Sequence, residues 1–118
     1  MIYFQEKEFY CCPDCDLGLS SINARFLKML DNAREISGVP YKLNSTIRCD
    51  KHNLDVGGST TSSHLIGVAA DIKCVTSYDR CRIMTGLIAA GFTRLGVGAK
   101  FIHCDADTSK PRSMVWVY

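Results

Sequence analysis

Apolar residues recur at spacings of three and four between Ser21 and Ser37, where Ile22, Phe26, Met29, Leu30, Ala33 and Ile36 mark one face of a helix. Ser20 or Ser21 is placed to cap its start, and Gly38 followed by Pro40 stops it. The period then changes to two: Tyr41, Leu43, Ser45 and Ile47 alternate with polar residues, as in a half-buried strand. A polar stretch from Arg48 to Ser63, carrying Gly57 and Gly58, reads as a long excursion, and long loops inside compact domains are usually functional. Gly67 to Cys74 is short, apolar and bounded by turns, which predicts a buried strand. From about Tyr78 to Ala90 a second helix puts Cys81, Met84, Leu87 and Ile88 on one face, with Ser77 as cap and Gly91 as stop. Three strand candidates follow: Thr93 to Val97, Phe101 to Asp105, and Met114 to Tyr118. Helices and strands mixed without regular alternation predict an α+β domain, a largely antiparallel sheet with flanking helices. Because the last strand pattern reaches Tyr118, removing a few residues there should unpair an element of the sheet.

No repeat, low-complexity run or linker divides the chain, and 118 residues suffice for one core but not two, so residues 1–118 are expected to form a single domain. Fourteen Lys and Arg against twelve Asp and Glu leave a net charge of +2, too little to suggest a nucleic acid or an anionic membrane as partner. No apolar run approaches the roughly 20 residues that span a bilayer. The opening MIYFQEKEFYCC lacks the pattern of a secretory signal, so the protein is expected to be made in the cytoplasm without an export signal of its own.

Seven cysteines is an odd count, so at least one thiol stays free, binds metal or pairs with another chain. A reducing compartment favours thiols or metal ligands over a disulfide framework. Cys49, Cys74, Cys81 and Cys104 stand singly among apolar neighbours and read as small buried hydrophobes. The CCPDC stretch differs. Cys12 and Cys15 form a CxxC turn able to grip zinc or to cycle as a redox pair, but no second CxxC follows and no strand precedes it, so local stapling or packing of Cys11, Cys12 and Cys15 stays open.

The most informative segment is SSHLIGVAADI. His64 ends the glycine-containing loop, Asp71 lies seven residues later within a strand, and His103 stands in the strand candidate KFIHCDAD. Two imidazoles and a carboxylate suit Zn²⁺, and three protein ligands leave a fourth tetrahedral position open, the pattern of a catalytic site. In the strand reading Phe101, His103 and Asp105 share a face, so His103 can meet Asp71 across adjacent strands while the turn before Gly67 folds His64 back toward them. A His and an Asp seven apart is a looser pattern than HExxH. On spacing alone, a loop histidine, a capping carboxylate and a core histidine remain open.

SSHLIGVAAD contains SxHxxGxAxD as Ser62, His64, Gly67, Ala69 and Asp71, and so resembles the first half of the zinc site of the M15 peptidases, the D-alanyl-D-alanine carboxypeptidases and related peptidoglycan endopeptidases that share the hedgehog fold. STIRCDKHN, VGG, the AGF before a Gly-rich turn, and FIHCD resemble further family stretches in the same order, and the likeness runs from Phe4 to Trp116. The resemblance implies that His64, Asp71 and His103 hold Zn²⁺ and that Arg48 faces the substrate, clamping a carboxylate or the developing oxyanion. A surface arginine pairing with Asp50 or Asp55 is the alternative for Arg48. Ser62 would bind near the metal or the substrate, or else serve its turn. His52 reads as loop structure, and Trp116 as core or groove wall.

One position departs from the pattern. Many family members carry a Glu or Asp as general base three residues before the last zinc histidine, where this chain has Lys100, a side chain unsuited to that role beside a dication. Asp105, two residues after His103, is the catalytic carboxylate candidate, either taking the proton from water or orienting His103.

The function implied is metal-assisted hydrolysis of the peptide stem of peptidoglycan, as carboxypeptidase or endopeptidase, by a monomer that acts on the cell wall and is encoded by a phage or prophage. Two rivals stand beside it. One is a zinc-holding module of the same fold that binds cell wall or protein without turnover. The other is a small metal-stabilised or redox protein built on CCPDC and the remaining cysteines.

Overall fold

The computed structural model describes residues 2–118. Helix α1 (Ala24–Ser37) starts three residues later than its apolar pattern, because Ile22 is extended and Asn23 supplies the cap, its side chain accepting from the Phe26 N–H. Gly38 in the left-handed region ends it, as expected. Strand β1 is short (Leu43–Ser45), and the polar excursion contains a helix the periodicity does not announce, α2 (Asp50–Asp55). One and a half turns are too short for a hydrophobic repeat to register.

Strand β2 (Ala69–Lys73), helix α3 (Ser77–Ala89) and strands β3 (Arg94–Val97), β4 (Phe101–Asp105) and β5 (Met114–Val117) fall within or close to the predicted segments. Thr76, not Ser77, caps α3, accepting from the Asp79 N–H. Its buried face carries Ile83, Gly86 and Leu87, whereas Cys81 and Ile88 are exposed, as is Ile36 on α1. Some apolar residues of each helix thus face water, a common fate on a small domain.

The five strands form one sheet in the order β1-β2-β4-β3-β5, antiparallel except for the parallel β3–β5 pair, which is the α+β architecture expected. One face, with Ala70, Ile72, Ile102 and Cys104, packs against Phe26, Leu30 and Ala33 of α1 and Ile83 and Leu87 of α3 to build the core. Cys74 and Cys104 are buried there, as anticipated. The N-terminal arm closes this core with Phe4 and Phe9, and the Ile2 and Tyr3 amides donate to the buried Asp31 carboxylate at 2.9 and 2.8 Å. Side chains alternate along a strand, so burying Ile102 and Cys104 sends Phe101, His103 and Asp105 to the opposite face. Among the described residues, no helix is long and apolar enough to cross a membrane.

Candidate metal centre

Asp71 on β2 and His103 on β4 are direct cross-strand partners, so the antiparallel register by itself brings carboxylate and imidazole together. His64 arrives from a 3-10 turn, Ser63–Ile66, capped by the Ser62 hydroxyl, which accepts from the His64 N–H at 3.3 Å. Gly67 ends that turn at φ 70°, and a Cβ there would collide with the Ser21 carbonyl; only glycine both accepts the left-handed backbone and clears the neighbour. The turn is clamped from outside as well. Ser63 donates its hydroxyl to Asp107 at 2.7 Å, Lys110 reaches Ser63 at 2.9 Å, and the Arg48 N–H donates to the His64 carbonyl at 3.0 Å.

His64 Nε2 lies 3.3 Å from one Asp71 oxygen, and His103 Nδ1 lies 2.8 Å from the other. The remaining nitrogen of each ring is already committed. His64 Nδ1 faces the Thr46 carbonyl at 2.6 Å, and His103 Nε2 faces the Asp105 carboxylate at 2.8 Å. The Thr46 carbonyl and both carboxylates accept only, so each ring can donate from its outer nitrogen to Thr46 or Asp105, while its inner nitrogen either donates to Asp71 or, when deprotonated, offers a lone pair to a cation bound beside that carboxylate. Donor atoms of all three residues lie within 4.8 Å of one another. With the inner nitrogens deprotonated, two borderline nitrogens and one hard oxygen converge as a donor set that fits a divalent metal such as zinc.

The charges respond accordingly. For Asp71, burial pushes the carboxyl up, but hydrogen bonds and charge from His103 and His64 outweigh it and hold it well below the ordinary range. For His103, burial works against the charged ring, yet Asp105 and Asp71 prevail and raise it. Burial likewise raises Asp105, and the donors around it bring it down.

Asp105 accepts from Arg94 Nε at 2.7 Å, from the Asp107 N–H at 3.2 Å and from His103, and its side chain is 1% exposed. Of the two roles open for Asp105, this saturation supports orienting His103 over receiving a proton from solvent. Arg48 is not a surface residue paired with Asp50 or Asp55. Its guanidinium donates to Ser45 and Asn53 at 3.1 and 3.2 Å and comes within 3.5 Å of Asp71, beside the ligand set. Asn53 is itself anchored to the Ser59 carbonyl, and a Cβ at Gly58 would run into the Asn53 amide and crowd Arg48. For Ser62, the hydroxyl's bond to the His64 backbone supports the turn role. Lys100 is exposed in the β3–β4 turn. Trp116 lies on the sheet face beside His103, with ring centroids 5.6 Å apart, Arg94 stacked on it and Tyr118 alongside.

Several contributors carry no motif signal. Thr46 acts through a backbone carbonyl, which any residue supplies. Arg94, Asp107 and Lys110 are ordinary charges until the fold pairs them. Cys49, read as a small buried hydrophobe, is instead half-buried beside Cys11, Cys12 and Cys15, and His52, read as loop, sits on α2 against Cys11.

A search among curated proteins finds no match. A family model described as Peptidase M15 matches residues 2–105, which takes in His64, Asp71, His103, Arg48 and Asp105. With that match over most of its length, the chain belongs to the Peptidase M15 family.

Proposed function

We propose that this chain is a zinc-dependent peptidase that hydrolyses the peptide stem of bacterial peptidoglycan as a monomer, with His64, Asp71 and His103 as the metal ligands. The observation that carries this reading is the pair of imidazoles whose outer nitrogens are tied to Thr46 and Asp105, leaving the inner ones facing the Asp71 carboxylate. Zinc bound there supplies Lewis acidity toward a peptide carbonyl and toward water. Arg48, held by Ser45 and Asn53, offers a guanidinium at the edge of the site to a substrate carboxylate or to the negative charge that develops on the carbonyl oxygen. Asp105, braced by Arg94, keeps the His103 ring in one orientation and one tautomer. Trp116, Tyr118 and Phe101 line the sheet face beside His103 and give an extended peptide an aromatic wall to lie on. Action at the cell wall and a phage or prophage origin belong to the same reading, and a gene set among lysis or virion genes is its expected context.

The second reading, a zinc-holding module without turnover, is favoured by two observations: Lys100 stands where many relatives have a general base, and Asp105 is fully occupied by donors. One experiment separates them. Protein purified without added zinc is assayed for metal and then incubated with defined stem peptides and with sacculi. Release of amine that is lost on chelation or in His64→Ala supports the peptidase. Zinc that is lost in His64→Ala, with no amine released by the unmutated protein, supports the binding module, and absence of metal from the His64 site overturns both.

A further inference from the structure

A second group of metal-type side chains lies outside the site just described. Cys11, Cys12 and Cys15 come from the turn that links the first two 3-10 segments, Glu6–Phe9 and Leu19–Ser21. Cys49 is the N-cap of α2, 38 residues beyond Cys11. The fold brings these distant segments together so that all four Sγ atoms lie within 4.8 Å of one another. Cys12 Sγ is 3.6 Å from Cys15 Sγ and 3.7 Å from Cys49 Sγ, and all seven cysteines of the chain are free thiols.

Those separations have a direct chemical reading. Zinc binds thiolate sulfur at about 2.3 Å, and the edge of a regular tetrahedron is about 1.63 times its centre-to-corner distance, so four sulfurs around one zinc stand about 3.8 Å apart. The surroundings suit thiolates too. The Cys49 N–H donates to Cys11 Sγ and the His52 N–H to Cys49 Sγ, both at 3.3 Å, and the His52 ring places Nδ1 3.3 Å from Cys11 Sγ. Amide N–H groups aimed at sulfur offset the negative charge that four thiolates bring, as donors around a bound metal's ligands commonly do. A salt bridge of 2.7 Å between Lys51 and Asp14 joins the same two segments from outside. Thiols serving only as apolar filler would sit in the core as Cys74 and Cys104 do, without gathering at the surface under backbone donors.

We infer that Cys11, Cys12, Cys15 and Cys49 form a second, structural zinc site. Binding releases the four thiol protons and fills every tetrahedral position with protein sulfur, leaving none for substrate, so this metal is a staple and not a reaction centre. It ties the N-terminal arm to the start of α2, one residue after Arg48 and four before the Asn53 that holds Arg48 in place. The inference stands independently of the peptidase reading, because it uses none of its residues.

The test uses the full chain, expressed with zinc and purified under reducing conditions without chelator. Native mass spectrometry is expected to find two zinc ions per chain, and the His64→Ala/His103→Ala variant is expected to keep one. The Cys12→Ser/Cys15→Ser variant should lose one. Because that variant could fail to fold, the unmutated chain is also reconstituted with Co²⁺, where thiolate ligands give intense near-ultraviolet sulfur-to-cobalt charge-transfer bands that imidazole and carboxylate ligands do not. Metal-free His64→Ala/His103→Ala protein, a cobalt spectrum without thiolate charge transfer, or an intact mass showing disulfides among the four cysteines overturns the inference. Loss of zinc from the His64 site alone, with the thiolate bands intact, counts against the peptidase reading only.

Discussion

Replacing Asp105 with Asn tests whether this carboxylate orients a ligand or handles a proton. In the native site it accepts from His103 Nε2 at 2.8 Å and from Arg94 Nε at 2.7 Å, and the two partners' side chains are 10% and 12% exposed. The amide keeps one acceptor oxygen, so one of the two donors loses its partner, and position 105 no longer offers either of them a negative charge. Loss of a carboxylate behind a metal-binding histidine commonly weakens metal affinity 10- to 100-fold, about 1.4 to 2.8 kcal/mol. Breaking the buried Arg94 pair costs about 3 to 5 kcal/mol of fold stability. Arg94 keeps its 2.6 Å bond to the Pro111 carbonyl and its stacking on Trp116, which places the expected loss at the lower end of that range. Zinc affinity is measured by competition with a chromogenic chelator, at a temperature where denaturation curves show the variant folded, and turnover is followed across zinc concentrations. The positioning role predicts weakened zinc binding and activity that recovers as zinc is raised. Unchanged affinity, with turnover down about 10²- to 10⁴-fold and no recovery at saturating zinc, would refute it and identify Asp105 as the proton acceptor.

Other outcomes follow from the same geometry. Gly67→Ala forces a side chain into a left-handed turn and against the Ser21 carbonyl; the backbone term alone is about 1 to 2 kcal/mol, and a denaturant melt should show at least that loss together with weaker metal binding. Asn53→Ala removes one anchor of Arg48 without touching the ligands, so KM for a stem peptide should rise severalfold while zinc content stays constant; unchanged kinetics would count against a substrate role for Arg48. Asp107 gives a pH signature. Burial is the largest influence on it and pushes it up, but bonds from Ser109 and Ser63 and the charge of Lys110 bring it down to about 2. A carboxyl lowered on folding contributes stability that is present above the ordinary value of about 4 and lost as pH falls toward 2. Asp107→Asn should therefore flatten the fall in stability across that acid window, and an unaltered acid limb would contradict the assignment.

Much of this protein was legible in one dimension because the relevant physics is local. Hydrophobic period distinguished α1 and α3 from the strands, and the alternation in FIHCD sent His103 and Asp105 to the face opposite Ile102 and Cys104. The ordered likeness from Ser62 to Asp71 and at His103 singled out His64, Asp71 and His103, the three residues whose donor atoms the fold brings within 4.8 Å of one another. What periodicity missed was short or non-local. Helix α2 is too brief to show a repeat, and its cap, Cys49, looked like core filler because nothing near position 49 reveals that the chain will return Cys11, Cys12 and Cys15 to it. Arg94 on Asp105, the Thr46 carbonyl on His64 and the Ser63–Asp107–Lys110 clamp are likewise contacts between segments far apart in the chain. Residue order thus determined which groups could ligate and which faces they would occupy. Only the antiparallel pairing of β2 with β4 and the docking of the turn and arm decided which groups meet, because strand register and loop placement are set by burying the whole core at once.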